Sequence, residues 1–147
     1  MKTLLASVVL SCFLVSQASA QSATDTSFDA KKKLIELQVT AIEGNKMATA
    51  NLFNGTLQWG EFNCNVFHLL ENKVILKLEF FFPENAAAGK KIFYYNNDVA
   101  VKIIDNGVEY YVSNGLYDKE GKIKKDNASK DLLMFSKEAR KMIYAIL

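Results

Sequence analysis

From Leu34 onward the chain is cut into short apolar stretches by asparagine-containing pairs, and this pattern restricts its fold more than any other feature. Asn54-Gly55, Asn96-Asn97 and Asn106-Gly107 each separate runs rich in Val, Ile, Leu, Phe and Tyr. Asn and Gly tolerate the positive φ that tight hairpin turns demand. Turn signals at intervals of roughly ten residues predict an all-antiparallel arrangement. The expected fold is mainly β, of α+β class. It is an antiparallel β-sandwich or small barrel of about seven to eight strands with a C-terminal helix.

The individual stretches follow from side-chain alternation. In Leu34 to Ile42, Ile35, Leu37, Val39 and Ala41 share one side, with Glu36, Gln38 and Thr40 opposite, which predicts a half-buried strand. Glu43 to Lys46 reads as a turn and Met47 to Phe53 as the returning strand. A two-residue loop at Asn54-Gly55 would pair Phe53 with Thr56, Leu52 with Leu57 and Ala50 with Trp59, apolar against apolar. Cys64 to Leu70 and Val74 to Phe82 suggest a second hairpin around Glu71-Asn72-Lys73. Ile92 to Tyr95, Val99 to Ile104 and Val108 to Val112 form a meander turning at Asn96-Asn97 and Asn106-Gly107. Gly115 to Asn127 reads as a charged loop or a short extra hairpin at Glu120-Gly121. A helix is expected from Ser129, a good N-cap residue, with Leu132, Leu133, Phe135, Ser136 and Ala139 at helical spacing. No Gly or Pro interrupts it before Leu147, and Met142, Ile143 and Ile146 extend the helical stripe, while Ile143, Ala145 and Leu147 equally suit an edge strand.

The N-terminus has the form of an export signal. Lys2 precedes the apolar run Leu4 to Val15, and Ala18-Ser19-Ala20 places small residues where signal peptidase reads. Residues 1–20 are therefore expected to be removed, residues 21–33 to form a flexible polar leader, and residues 34–147 to form one β-rich domain. The expected location is secreted or periplasmic, with the membrane crossed only through the cleaved signal. Val9-Leu10-Ser11-Cys12 is a poor lipoprotein box, because Leu10 sits where a small residue is needed. The eighteen Lys and Arg barely exceed the sixteen Asp and Glu, and the signal removes only Lys2. Such a balance gives no footprint for nucleic acid. Lys31-Lys32-Lys33 is the one basic block and reads as a solvated segment.

Chemistry-bearing residues are few. Without Cys12, Cys64 has no partner for an intramolecular bridge, and it is either a buried small hydrophobe or a reactive thiol. His68 is the only histidine. Cys64 and His68 would lie roughly 13 Å apart along a strand, too far for a nucleophile–base pair. One Cys and one His do not make a zinc site, and no phosphate-binding glycine loop or hydrolase motif occurs. Neither a metal nor a cofactor is expected. Asn54-Gly55-Thr56 and Asn127-Ala128-Ser129 match the glycosylation pattern, as expected by chance in an Asn-rich chain.

The meander offers the one candidate contact surface. If its loops are two-residue turns, Ile92, Tyr94, Val99, Val101, Ile103, Tyr110 and Val112 form the core side. Lys91, Phe93, Tyr95, Ala100, Lys102 and Tyr111 then stand together on the other side, with Lys91 opposite Lys102. Phe93, Tyr95, Lys102 and Tyr111 are the candidate binding residues, since aromatic rings beside cations suit a protein, a sugar or an anionic group. The alternative is that these rings are a second core face under the C-terminal helix. The expected function is an exported non-enzymatic binding module, an inhibitor- or immunity-type domain that acts as a monomer or weak dimer and holds another protein or a small ligand. The alternatives are a carrier of an apolar small molecule in a β-barrel and a small secreted hydrolase using carboxylates.

Overall fold

The computed structural model describes residues 23–147; the export signal and Cys12 lie outside them. The elements in chain order are α1 (Ala23–Glu43), β1 (Ala48–Leu57), β2 (Gly60–Leu69), β3 (Ile75–Phe81), β4 (Lys90–Asn96), β5 (Val99–Asp105), β6 (Val108–Val112), β7 (Leu116–Tyr117), β8 (Ile123–Lys124) and α2 (Asn127–Ile146). The strands form one antiparallel meander in the order β1 to β8, and the two outer strands do not meet. The mainly β, α+β class and the C-terminal helix are therefore present. The strands make a single open sheet, with α2 against one face and α1 against the other.

α1 replaces both the expected first strand and most of the expected leader. Leu34 to Ile42 is helical, and the helix begins as early as Ala23. The period-two pattern there is a coincidence of spacing, because of Ile35, Leu37, Val39 and Ala41 only Ile35 is buried. The inward stripe is Phe28, Ile35, Val39 and Ile42, which is helical spacing. Lys31 and Lys32 are not simply solvated. Lys31 Nζ reaches Ser113 Oγ at 3.3 Å, and Lys32 Nζ donates to the Lys119 carbonyl at 2.9 Å.

The first hairpin turns at Gln58-Trp59, with Leu57 opposite Gly60, and not at Asn54-Gly55. Tertiary packing outweighs local turn preference here. The Trp59 ring sits 4.6 Å from Phe135 and 5.8 Å from Phe82, and Asn85 Nδ2 donates to the Trp59 carbonyl at 2.8 Å. Gly60 carries the left-handed φ of +112° that this corner needs. Gly55 instead lies mid-strand opposite Phe62, where a Cβ would come within 3.1 Å of the ring. Its lack of a side chain admits the aromatic ring across the strand.

The meander turns at Asn106-Gly107 as expected, with both residues at positive φ. The preceding turn falls one residue later than expected, at Asn97-Asp98. A bulge then follows. Tyr95 faces Ala100 while its neighbour Tyr94 faces Lys102, so Val101 is the extra residue in β5. A single inserted residue reverses which faces correspond across a strand pair. Phe93 consequently stands opposite Ile103, and Lys91 stands opposite Asp105 rather than Lys102. The register thus trades a like-charge clash for an ion pair, with Lys91 Nζ 2.6 Å from Asp105 Oδ1.

The apolar core lies between the sheet and α2. Cys64, Val66, Leu78, Phe80, Phe93 and Ile103 meet Leu132, Phe135, Ala139 and Ile143 of α2. Phe135 is the keystone ring, 5.2 Å from Phe80 and 5.5 Å from Phe93 by centroid. α2 is capped by Asp126, whose carboxylate accepts from the Ser129 backbone at 2.8 Å. Ser129 is thus inside the helix and not its cap.

Phe135→Ala is expected to cost about 3–5 kcal/mol in chemical denaturation, because it empties the centre of an aromatic cluster. Leu34→Ala, on the solvent side of α1, is expected to change stability by less than about 0.5 kcal/mol.

Candidate functional site

The four candidate residues do not form one surface. Phe93 and Tyr95 belong to the core under α2, where the Tyr95 hydroxyl donates to the Ser136 carbonyl at 2.7 Å. Lys102 and Tyr111 face the other way, toward α1. The bulge at Val101 is the physical reason, since it puts Phe93 and Lys102 on opposite faces. For Phe93 and Tyr95 the reading as core under the C-terminal helix describes their place.

On the α1 side, the register lines up Lys77, Tyr94, Lys102 and Tyr111 as successive cross-strand neighbours on β3, β4, β5 and β6. All four are buried, with Lys77 5 % and Lys102 4 % exposed. A buried ammonium is expensive unless it is paired. Each lysine has two carboxylate partners, one from the sheet and one from α1. Lys77 Nζ is 3.1 Å from Glu79 and donates to both Glu43 carboxylate oxygens at 3.0 and 3.1 Å. Lys102 Nζ is 2.9 Å from Glu109 and donates to Glu36 at 2.7 Å. The phenols complete the arrangement: Tyr94 donates to Glu43 at 2.7 Å and Tyr111 donates to Glu36. The Phe67 ring centroid lies 4.0 Å from Lys77 Nζ and adds a cation–π contact.

The electrostatics follow from these contacts. Burial pushes the Glu36 carboxyl up, but the hydrogen bonds from Lys102 and Tyr111, with Lys32 nearby, outweigh it and hold it below its ordinary 4.5. Burial likewise raises Glu43, and the bonds from Tyr94 and Lys77, aided by the charge on Lys90, bring it below the same value. The phenols move the other way: burial first, then the adjacent carboxylates, raise both Tyr94 and Tyr111. Lys102 is lowered by burial, yet Glu36 and Glu109 raise it overall.

The sequence had no signal for this row beyond Lys102 and Tyr111. Lys77 and Tyr94 join it only through the register, and Glu36 and Glu43 only because α1 is a helix. Chemically, two ammonium groups and two hydroxyls converge on the carboxylates of Glu36 and Glu43, with Glu79 and Glu109 as the second partners of the ammoniums.

The remaining chemistry-bearing side chains are structural. Cys64 is buried in the core, and burial pushes its thiol up to about 12, which keeps it protonated and unreactive at neutral pH. His68 lies on the same strand, with Nδ1 3.4 Å from the Leu69 carbonyl oxygen and Nε2 3.3 Å from Asn51 Nδ2. An Nδ1-protonated ring donates to the first and accepts from the second. Among the described residues no group of three or more His, Cys, Asp or Glu converges to hold a metal ion.

Glu36 and Glu43 ionise more readily in the docked helix than in the free chain. Their contribution is therefore complete above pH 4.5 and is lost as pH falls through their depressed values. The Lys102 contribution has the opposite sign, being complete below pH 10.5 and lost above it. NMR shifts of α1 amides are expected to hold steady between these limits and to move toward coil values on acidification below 4.5. Tyr111→Phe should weaken protection of α1 amides alone, whereas Phe93→Ala should lower global stability by about 3–5 kcal/mol.

No family model, curated protein or solved structure matches this chain.

Proposed function

We propose that the chain is a non-enzymatic binding module of the inhibitor or immunity type, which after export holds another protein by strand addition to β1. The open edge of β1 carries this reading. β1 is ten residues long, Ala-Thr-Ala-Asn-Leu-Phe-Asn-Gly-Thr-Leu, and contains neither a charge nor a proline. Such an edge spans about 34 Å of backbone able to pair with an extended segment. Among the described residues no strand pairs with its outer side. Soluble proteins ordinarily blunt such an edge with lysine, proline or a short strand. The opposite edge of this sheet is blunted in that way: β8 has two residues, and one of them is Lys124.

Side-chain features beside β1 support the same reading. Leu52 is 66 % exposed midway along the strand. At its distal half, Asn54, Gly55, Thr56, Glu61, Phe62, Asn63 and Pro83 line a polar groove of about 370 Å³. An added strand would gain affinity from main-chain hydrogen bonds and selectivity from such a groove. The carrier alternative needs room inside a closed barrel. Here the sheet is open, and the space between it and α2 is filled by Phe80, Phe93 and Phe135. No helix of the described residues is long and apolar enough to cross a membrane. The expected setting is the periplasm or the exterior.

The test is capture from the exported fraction, with contacts mapped by cross-linking. Capture by the unmodified chain with cross-links on β1, lost in Ala50→Lys and Leu52→Lys while thermal stability is kept, is the expected result. Capture that both variants retain, or cross-links confined to α2, would sink the strand-addition reading. Concentration-dependent dimers abolished by the same variants would assign the edge to a second copy instead.

A further inference from the structure

The Lys77–Tyr94–Lys102–Tyr111 row is spaced to receive a helix with two carboxylates seven residues apart. Glu36 and Glu43 are two helical turns apart, about 10.5 Å at 1.5 Å per residue. Lys77 on β3 and Lys102 on β5 are two strands apart, about 9.6 Å at 4.8 Å per strand. α1 therefore crosses the strands, with Glu43 over β3 and β4, Glu36 over β5 and β6, and Phe28 against Tyr111 and Tyr117.

Three observations make this helix a replaceable occupant. First, the row keeps internal partners: Glu79 for Lys77 and Glu109 for Lys102. Removing α1 leaves neither lysine without a carboxylate, so exposing the face does not strand a buried charge. Second, the fit of α1 is imperfect. Its Gln38 Oε1 is buried with no hydrogen-bond partner. Third, α1 stands apart from the main core, which is made by the sheet and α2 without any α1 residue. Such an element belongs to the low-stability end of a fold.

We propose that this face is a docking site for an acidic helix of a partner protein, presenting two carboxylates at i and i+7, and that α1 is the resident helix it displaces. The free donors of the row and the matched spacing select the occupant, since Glu79 and Glu109 already balance the charge of the two lysines. Two ammonium groups and two phenol donors recognise carboxylates, and the sheet spacing reads their separation. This surface is separate from the β1 edge.

The test uses the full chain and synthetic peptides of residues 23–43. Glu36→Gln with Glu43→Gln in the chain loosens the resident helix, while the sheet row stays intact. The peptide carrying both glutamates is expected to bind this variant about tenfold or more tightly than it binds the unmodified chain. The Gln-Gln peptide, and a peptide with one glutamate moved by a single position, are expected to bind at least about tenfold more weakly. Ala50→Lys and Leu52→Lys should leave peptide binding unchanged, which separates this site from the edge. Equal binding by the Glu and Gln peptides, or no binding to either chain, overturns the proposal. Dimers formed by exchange of α1 between copies, with no competition from the peptide, overturn it in favour of a second copy. Should the double variant fail to fold, hydrogen exchange on the unmodified chain decides. α1 amides exchanging well before β3 to β6 support a displaceable helix, and exchange in step with the strands overturns it.

Discussion

The extra residue in β5, Val101, sets which side chains share a face across the centre of the sheet. Without it the meander would place Phe93 beside Lys102, and no helix could cover that mixture well. With it, Phe93 and Ile103 pair on one side, and Tyr94 and Lys102 on the other. One face becomes aromatic and accepts α2. The other becomes a line of ammonium groups and phenols and accepts α1. A bulge normally acts by re-aiming side chains locally; here it sorts two chemistries into two layers.

Those layers are held by different forces. The α2 side relies on burial of large apolar groups, which is strong and indifferent to pH. The α1 side relies on charged groups whose acid partners remain partly in water, with Glu36 and Glu43 side chains 41 % and 47 % exposed. Half-exposed ion pairs contribute modestly because solvent screens them. The molecule is thus a firm sheet–helix unit carrying a second helix under looser, electrostatically tuned control.

Much of this was legible in the residues themselves. Asn106-Gly107 turns as its chemistry demands, the hairpin between Cys64 and Phe82 forms, and the C-terminal helix is present. Its course through residues 140–146 is open in the sequence, since Ile143, Ala145 and Leu147 also fit an edge strand. What failed to show had identifiable competitors. Asn54-Gly55 lost its turn because Trp59 gains more from packing on Phe135 than the local pair gains from a type I′ geometry. Leu34 to Ile42 read as a strand because its alternation also satisfies a helix once Phe28, Ile35, Val39 and Ile42 are taken together. The candidate surface was misassembled for a third reason. A bulge has no sequence mark of its own, and one unmarked residue inverts every face assignment beyond it.

The unequal edges of the sheet limit how this protein can assemble. A sheet that grows indefinitely needs two competent borders, so that each newcomer leaves a fresh one. Here the β8 border is two residues long, Ile123–Lys124, and is followed by Lys125. Among the described residues β1 is the one long border, so a strand added there would leave none for a further copy. Strand addition at such a sheet would end in a finite one-to-one pair and not a filament.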